Sequence, residues 1–368
     1  MDKNEKKLIL FMPSMDGGGV EKNLIIIANY LAKNIKNISL ITFDKKFNNK
    51  FDKKINIINS NYSNKKKYSK YFKYLISICM LIKEISGYKQ SLVFSFQANI
   101  YVIILSIFFN FKIITRSNSS PSGWGNNVIK KYLFKFFFKY AKKIVVNSHH
   151  FKKEFQNVFN VKTLLIYNPL DKSEILKKSK KFLNFKFFDD EESLKIINIA
   201  RFTDQKDHIT LLKSFEIVVR EKKSKLLIMG YGNNKEIIND FIKEKKLNDN
   251  IKVIDFQDNP YNYLNKADIF VLTSKFEGLP NVLLEAQVLK KFIISSDCPT
   301  GPKEILKSGK YGDLFEVGDY KNLAKQILKF NKKSKIYRSK IKLAYNSLDR
   351  FDYSKNCKKY LNIICKSL

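Results

Sequence analysis

Short apolar runs alternate along this chain with longer stretches in which apolar side chains recur every three or four positions. The first pattern suits strands buried on both faces of a parallel sheet, and the second suits helices packed over it. In the first half, strands are expected at 7–12, 38–43, 92–96, 112–115, 143–147 and 164–167. The turn Asp16-Gly17-Gly18-Gly19-Val20-Glu21 is expected to open a helix that runs through Ala32. The pattern restarts with strands at 194–200, 225–229, 251–255, 269–273 and 292–295. Helices are expected between them at 207–221 and 235–246, with shorter ones near Tyr261 and Val282. A polar, lysine-rich stretch at 172–193 separates the halves. The fold class is therefore α/β, with two consecutive doubly wound domains and a cleft between them. The expected boundaries are 1–175 and 190–350, with a final helical segment at 351–368.

A chain of 368 residues is long enough to give each domain its own core. A hydrophobic content of 44% with 28% charged residues excludes a disordered chain. The longest uncharged apolar run, 98–111, is shorter than the roughly 20 residues that span a bilayer. No signal peptide is read at Met1-Asp2-Lys3-Asn4, which leads directly into the first strand. The four cysteines are scattered without CxxC or zinc spacing, which suits reduced thiols in the cytoplasm.

Charge changes this picture. The net charge is +35, and residues 1–180 hold 33 Lys+Arg against 10 Asp+Glu. Aromatic residues are set among the lysines at 65–74 and 130–143. Such segments read in two ways: as basic amphipathic helices for the inner face of an anionic membrane, or as lysine-rich solvated helix faces. Nucleic acid is not expected as a partner, because no RNP, KH, zinc-finger or helix-turn-helix signature occurs.

The candidate chemistry lies where strands of the second half end, the ligand side of an open α/β sheet. After 194–200 come Arg201 and Lys206, two cations in one loop suited to a diphosphate. After 225–229 comes Gly230-Tyr231-Gly232, which is either an ordinary turn or a close backbone approach to a nucleotide. After 269–273 come Glu277-Gly278-Leu279-Pro280-Asn281, with Glu285 eight residues beyond Glu277 in the following helix. Backbone N–H groups at that helix start can face an anion, and Glu285 can accept hydrogen bonds from a diol. After 292–295 comes a rigid loop containing Gly301 and Glu304.

The order Arg201…Lys206, Gly230-x-Gly232, Glu277-x7-Glu285 and Gly301-x-x-Glu304 resembles the large retaining glycosyltransferase family that carries the E-x7-E motif (glycosyltransferase family 4, group 1). The likeness covers 194 to about 318 and extends to the first half through Gly17-Gly18-Gly19-x-Glu21, with Gly18 and Gly19 in the donor loop. The resemblance implies the GT-B fold: two Rossmann-like domains facing across a cleft, and a C-terminal helix crossing back to the first. It also implies a nucleotide-sugar donor, UDP-linked in similar transferases, and a lipid-linked saccharide acceptor in bacterial surface-glycan assembly. By the same resemblance, Arg201 and Lys206 neutralise the diphosphate and Glu285 binds the ribose. Glu277 lies beside the transferred sugar, with Gly278 and Leu279 near sugar and phosphates. No metal or other cofactor is expected, since Asp-x-Asp is absent from the sequence and the cationic pair stands in for a divalent ion.

One position departs from the family. Many relatives carry a histidine facing the sugar in the first domain, where the loop at 114–124 places Arg116. An arginine there is expected to contact donor or acceptor phosphate, and it cannot shuttle protons near neutrality. His208, at a helix start, is expected to be structural. Two further readings stand beside this one: a nucleotide-sugar epimerase of related fold, and a non-catalytic basic protein binding membrane or nucleic acid. The E-x7-E segment counts against the first. The intact set Arg201, Lys206, Glu277 and Glu285 counts against the second.

Overall fold

A computed structural model describes residues 6–62, 68–88, 90–118, 121 and 128–368. The chain opens with β1 (Lys6–Phe11), α1 (Gly19–Ala32), β2 (Ile38–Thr42), β3 (Asn56–Asn59), α2 (Lys70–Ser86) and β4 (Gln90–Ser95). It continues with α3 (Asn99–Phe108), β5 (Lys112–Ser117), α4 (Val128–Phe137), β6 (Lys143–Val146), α5 (His149–Phe159) and β7 (Leu164–Leu165). Next come α6 (Lys172–Ser179), β8 (Leu194–Ile199), α7 (His208–Glu221), β9 (Ser224–Gly230), α8 (Lys235–Glu244), β10 (Ile251–Asp255) and α9 (Tyr261–Lys266). The remainder is β11 (Ile269–Leu272), α10 (Asn281–Val288), β12 (Phe292–Ser296), α11 (Gly301–Ile305), β13 (Asp313–Phe315), α12 (Tyr320–Lys329), α13 (Lys335–Asn346) and α14 (Tyr353–Cys365). These elements form two compact units, Met1–Pro169 with Tyr353–Leu368, and Leu170–Asp352.

In the first unit all seven strands pair in parallel, in the order β3-β2-β1-β4-β5-β6-β7. Alternate side chains of each strand feed opposite faces. Leu8, Leu10, Leu40 and Phe94 pack with Leu24, Ile27 and Leu31 of α1 and with Tyr360 and Ile364 of α14. Ile9, Phe11, Val93 and Ile113 face the other way, onto Leu81 of α2, Val102 of α3 and Phe151 and Phe155 of α5. Burial on both faces explains why the strands read as continuous apolar runs.

In the second unit six parallel strands lie in the order β10-β9-β8-β11-β12-β13. Ile196, Leu226, Ile228, Val271 and Ile294 pack against Leu211, Leu212 and Phe215 of α7 and Leu323 and Ile327 of α12. The order of connection reverses between β1 and β4 in the first unit and between β8 and β11 in the second. Loops diverge at such a reversal and leave a crevice at the carboxyl ends of the strands.

Two edge strands were not legible. β3 reads Asn56-Ile57-Ile58-Asn59 and β13 spans three residues, so each is too short for its alternation to register. The stretch at 172–193 is not a bare connector. Asp171 caps α6 by accepting from the Glu174 N–H at 2.9 Å, and Ile175 is buried as α6 packs on α9 and α10. Phe185 and Phe188 are buried too, with Phe185 edge-on to Tyr263 at 5.1 Å. Three large apolar side chains are enough to dock this polar stretch on the second unit. Of the expected basic segment at 65–74, the first three residues lie outside the described ones. So do Ser119, Ser120 and residues 122–124 of the loop after β5.

Candidate active site

The reversal between β8 and β11 brings together side chains 71 residues apart. Arg201 leaves the end of β8 and is exposed. Lys206 ends a short helical turn (Asp204–Lys206), and Asp207 then adopts φ +47 to cap α7, its carboxylate accepting from the Thr210 hydroxyl at 2.7 Å. Three hydrogen bonds join this loop to the loop after β11. Thr273 donates to the Lys206 carbonyl at 2.9 Å, Lys275 N–H to the Gln205 carbonyl at 2.8 Å, and the Gln205 amide to the Phe276 carbonyl at 2.8 Å. Held this way, the Lys206 ammonium pairs with Oε1 of Glu277, which also accepts from the Ser274 hydroxyl at 2.7 Å. The two charged side chains are only 13% and 7% exposed, so their attraction is weakly screened.

The glycines have a steric reason to be where they are. A Cβ at Gly230 would meet the Ala200 carbonyl oxygen at 1.8 Å, and one at Gly232, with φ +145, would meet that of Phe202 at 2.3 Å. Their space is filled by the neighbouring loop of the protein itself. Gly301 is the same case, since its Cβ would lie 1.9 Å from the Gly278 carbonyl oxygen. Gly278, Leu279 and Pro280 form the approach to α10, which Asn281 begins, and Glu285 is buried one turn further along. Glu304 sits half-buried on α11. Among the described residues, no group of three or more His, Cys, Asp or Glu is arranged to hold a metal ion.

Two side chains at this site went unnoticed in the sequence. Ser274 holds the Glu277 carboxylate, and nothing in its spacing marks it. Thr300 has φ +88, rare for a β-branched residue, and its hydroxyl donates to the carbonyls of Glu277 and Gly278. Its position before Gly301 was the only available hint. Burial sets the nearby titrations. It pushes the His208 imidazole down to about 4, assisted by Lys206, and leaves both ring nitrogens without a partner among the described residues. Burial, then Glu277, pushes the Cys298 thiol up to about 12, so it stays protonated.

The first unit has its own reversal crevice, where the loop after β1 leads into α1. Gly18 caps α1, Gly19 begins it, and Glu21 reaches back to accept from the N–H groups of Asp16 at 3.1 Å and Gly18 at 2.9 Å. This carboxylate is buried, which raises its pKa above the ordinary value. Two donors of the glycine loop are therefore already used within the protein.

Arg116 is a correction. Expected at a phosphate, it is fully buried at the end of β5. Its Nε donates to the Tyr360 hydroxyl at 3.0 Å and Nη2 to Asn168 Oδ1 at 2.6 Å, while Nη1 is held by Asn118. The guanidinium also lies over the Phe96 ring at 5.7 Å. With each of its nitrogens engaged, this side chain ties α14 and the chain before Pro169 to the sheet.

Residues 179–347 match the family described as Glycosyl transferases group 1. Over 253 residues the chain is 32% identical to a glycosyltransferase of Methanocaldococcus jannaschii, covering 64% of this chain and 62% of that protein. It is 26% identical to an N-acetylgalactosamine-N,N'-diacetylbacillosaminyl-diphospho-undecaprenol 4-alpha-N-acetylgalactosaminyltransferase of Campylobacter jejuni, covering 64% of each. The matches thus span less than two thirds of these relatives. Among solved structures, Anabaena HepE in complex with UDP and glucose superposes with TM-score 0.79 at 16% identity, over 98% of this chain and 100% of that one. Sucrose-phosphate synthase of Thermosynechococcus elongatus does so with TM-score 0.80 at 17% identity, over 98% and 99%. Residues 179–347 are therefore a domain of the glycosyl transferases group 1 family, in a chain with the GT-B fold.

Proposed function

We propose that this chain is a retaining glycosyltransferase that moves a hexose or N-acetylhexosamine from a UDP-sugar to a lipid-linked saccharide, at the inner face of an anionic membrane, in bacterial surface-glycan assembly. The observation that carries this reading is the buried pair of Lys206 and Glu277 at the reversal between β8 and β11, with Arg201 exposed in the same loop. The lipid-diphosphate acceptor named for the Campylobacter relative and the UDP bound to Anabaena HepE support the choice of acceptor and donor.

Chemically, the bond from the anomeric carbon to the diphosphate oxygen breaks, and a bond to an acceptor hydroxyl oxygen forms on the same face. The departing β-phosphate takes the acceptor's proton. Arg201 and Lys206 stabilise the charge that develops on the diphosphate, aided by the N-terminus of α10, in place of a divalent ion. Glu277, with one oxygen committed to Lys206 and Ser274, orients the sugar and is not a nucleophile. Glu285 holds the ribose hydroxyls.

The test is transfer from UDP-, GDP- and ADP-sugars to lipid-diphosphate saccharides, with the product's anomeric configuration read by NMR. Arg201→Ala and Lys206→Ala are each expected to lower kcat by about 100-fold or more in protein that still folds, Arg201→Ala at an unchanged melting temperature and Lys206→Ala at a lower one, because it leaves Glu277 buried without its partner. Near-normal rates in both variants would remove the phosphate assignment.

A further inference from the structure

Helix α4 is apolar on more of its surface than the protein can cover. Its inner side packs Phe134 against Phe159, and just beyond its end Phe138 packs against Phe155, in the core that α5 shares. Its outer side nevertheless exposes Ile129, Tyr132, Leu133 and Phe136, the first two at 74% and 71%. These positions recur at helical spacing and form one stripe. Beside α4 packs α3, whose Phe108 is 78% exposed. Contiguous exposed apolar surface of this kind marks an interaction site.

The charge around the stripe narrows the partner. Residues 85–153 contain eleven Lys and Arg and no Asp or Glu. Lys135 and Lys139 stand exposed beside the stripe, within reach of an anionic plane in contact with it. A second copy of this chain would set these cations against one another, which disfavours a symmetric apolar contact. An anionic phospholipid bilayer satisfies both features at once: acyl chains and glycerol take the aromatic and aliphatic tips, and lipid phosphates take the ammonium groups.

We infer that the outer face of α4, extended by the end of α3, is a bilayer-docking surface that inserts Ile129, Tyr132, Leu133, Phe136 and Phe108 between anionic lipid headgroups. The inference rests on the reading of a lipid-linked acceptor and deepens it by naming the surface that meets the lipid.

Vesicle co-sedimentation of the full chain tests it, using phosphatidylcholine with and without phosphatidylglycerol, at low and high salt. The wild type is expected to bind the anionic vesicles and to keep part of that binding at high salt. Ile129→Ser combined with Tyr132→Ser should weaken binding at least about tenfold, at an unchanged melting temperature. Lys135→Ala combined with Lys139→Ala should remove most of the preference for anionic over neutral vesicles. A wild type that stays in the supernatant, or a serine variant that binds as the wild type does, overturns the inference. Concentration-dependent dimerisation abolished by the serine substitutions, without vesicle binding, overturns it in favour of a second copy. Vesicle binding is read without turnover, so a failure of the transfer reading leaves this result standing and distinguishable.

Discussion

Lys206 and Glu277 are each costly to bury alone, and the fold buries them as a pair with Ser274 completing the carboxylate's contacts. Arg116 shows the opposite use of a cation. Its partners are the neutral groups of Tyr360, Asn118 and Asn168, and it serves the packing of α14. An arginine at the end of a strand gives no sign in sequence of which way it turns, and here it turns inward. His208 supplies a sharper test at this scale. Burial holds its folded pKa at about 4, below the 6.5 of a free imidazole. Between those values the unfolded chain takes up a proton that the folded chain does not, so stability falls as pH drops through the window, by up to about 3 kcal/mol. Urea unfolding from about pH 7 to about pH 4 should show a shallower fall in His208→Leu than in the wild type. Equal slopes would mean that His208 is not held neutral in the fold.

The loops after β8, β9, β11 and β12 are fixed by backbone approaches that only glycine permits. Gly301→Ala is the most decisive case, because its Cβ would lie 1.9 Å from the Gly278 carbonyl oxygen and 2.7 Å from the Pro280 ring. The variant is expected to lose about 1–3 kcal/mol of stability and to weaken nucleotide affinity together, as in other small-to-large substitutions in packed sites. A melt and a nucleotide titration check it, and an unaltered affinity would detach this contact from the site. Much of the element level was legible. The strands of both sheets announced themselves because burial on both faces leaves uninterrupted apolar runs, as in β9 and β11. The edge strands β3 and β13 lack that signal. The cation and carboxylate positions were legible as ends of strands, but their pairing was not, because it depends on the reversal of strand order. Gly230 and Gly232 read as either an ordinary turn or a close approach to a nucleotide, and the space that a Cβ would take at each is filled by the loop after β8.

At the scale of the whole chain, two parallel sheets each offer one crevice where strand order reverses, and the second holds the buried pair of Lys206 and Glu277 there. The first unit carries most of the excess charge and the exposed apolar face of α4. Among the described residues no helix is long and apolar enough to cross a membrane. The proposed donor site and the proposed bilayer-docking surface lie on different units, and they can be tested apart. The central claim concerns the donor, and nucleotide binding measured on the full chain tests it most directly. At a concentration 100-fold above its dissociation constant, a UDP-sugar should stabilise the fold by about 2.7 kcal/mol, with a weaker effect from GDP- and ADP-sugars. The stabilisation should disappear in Glu285→Ala. Folded protein that responds to no nucleotide would contradict the account.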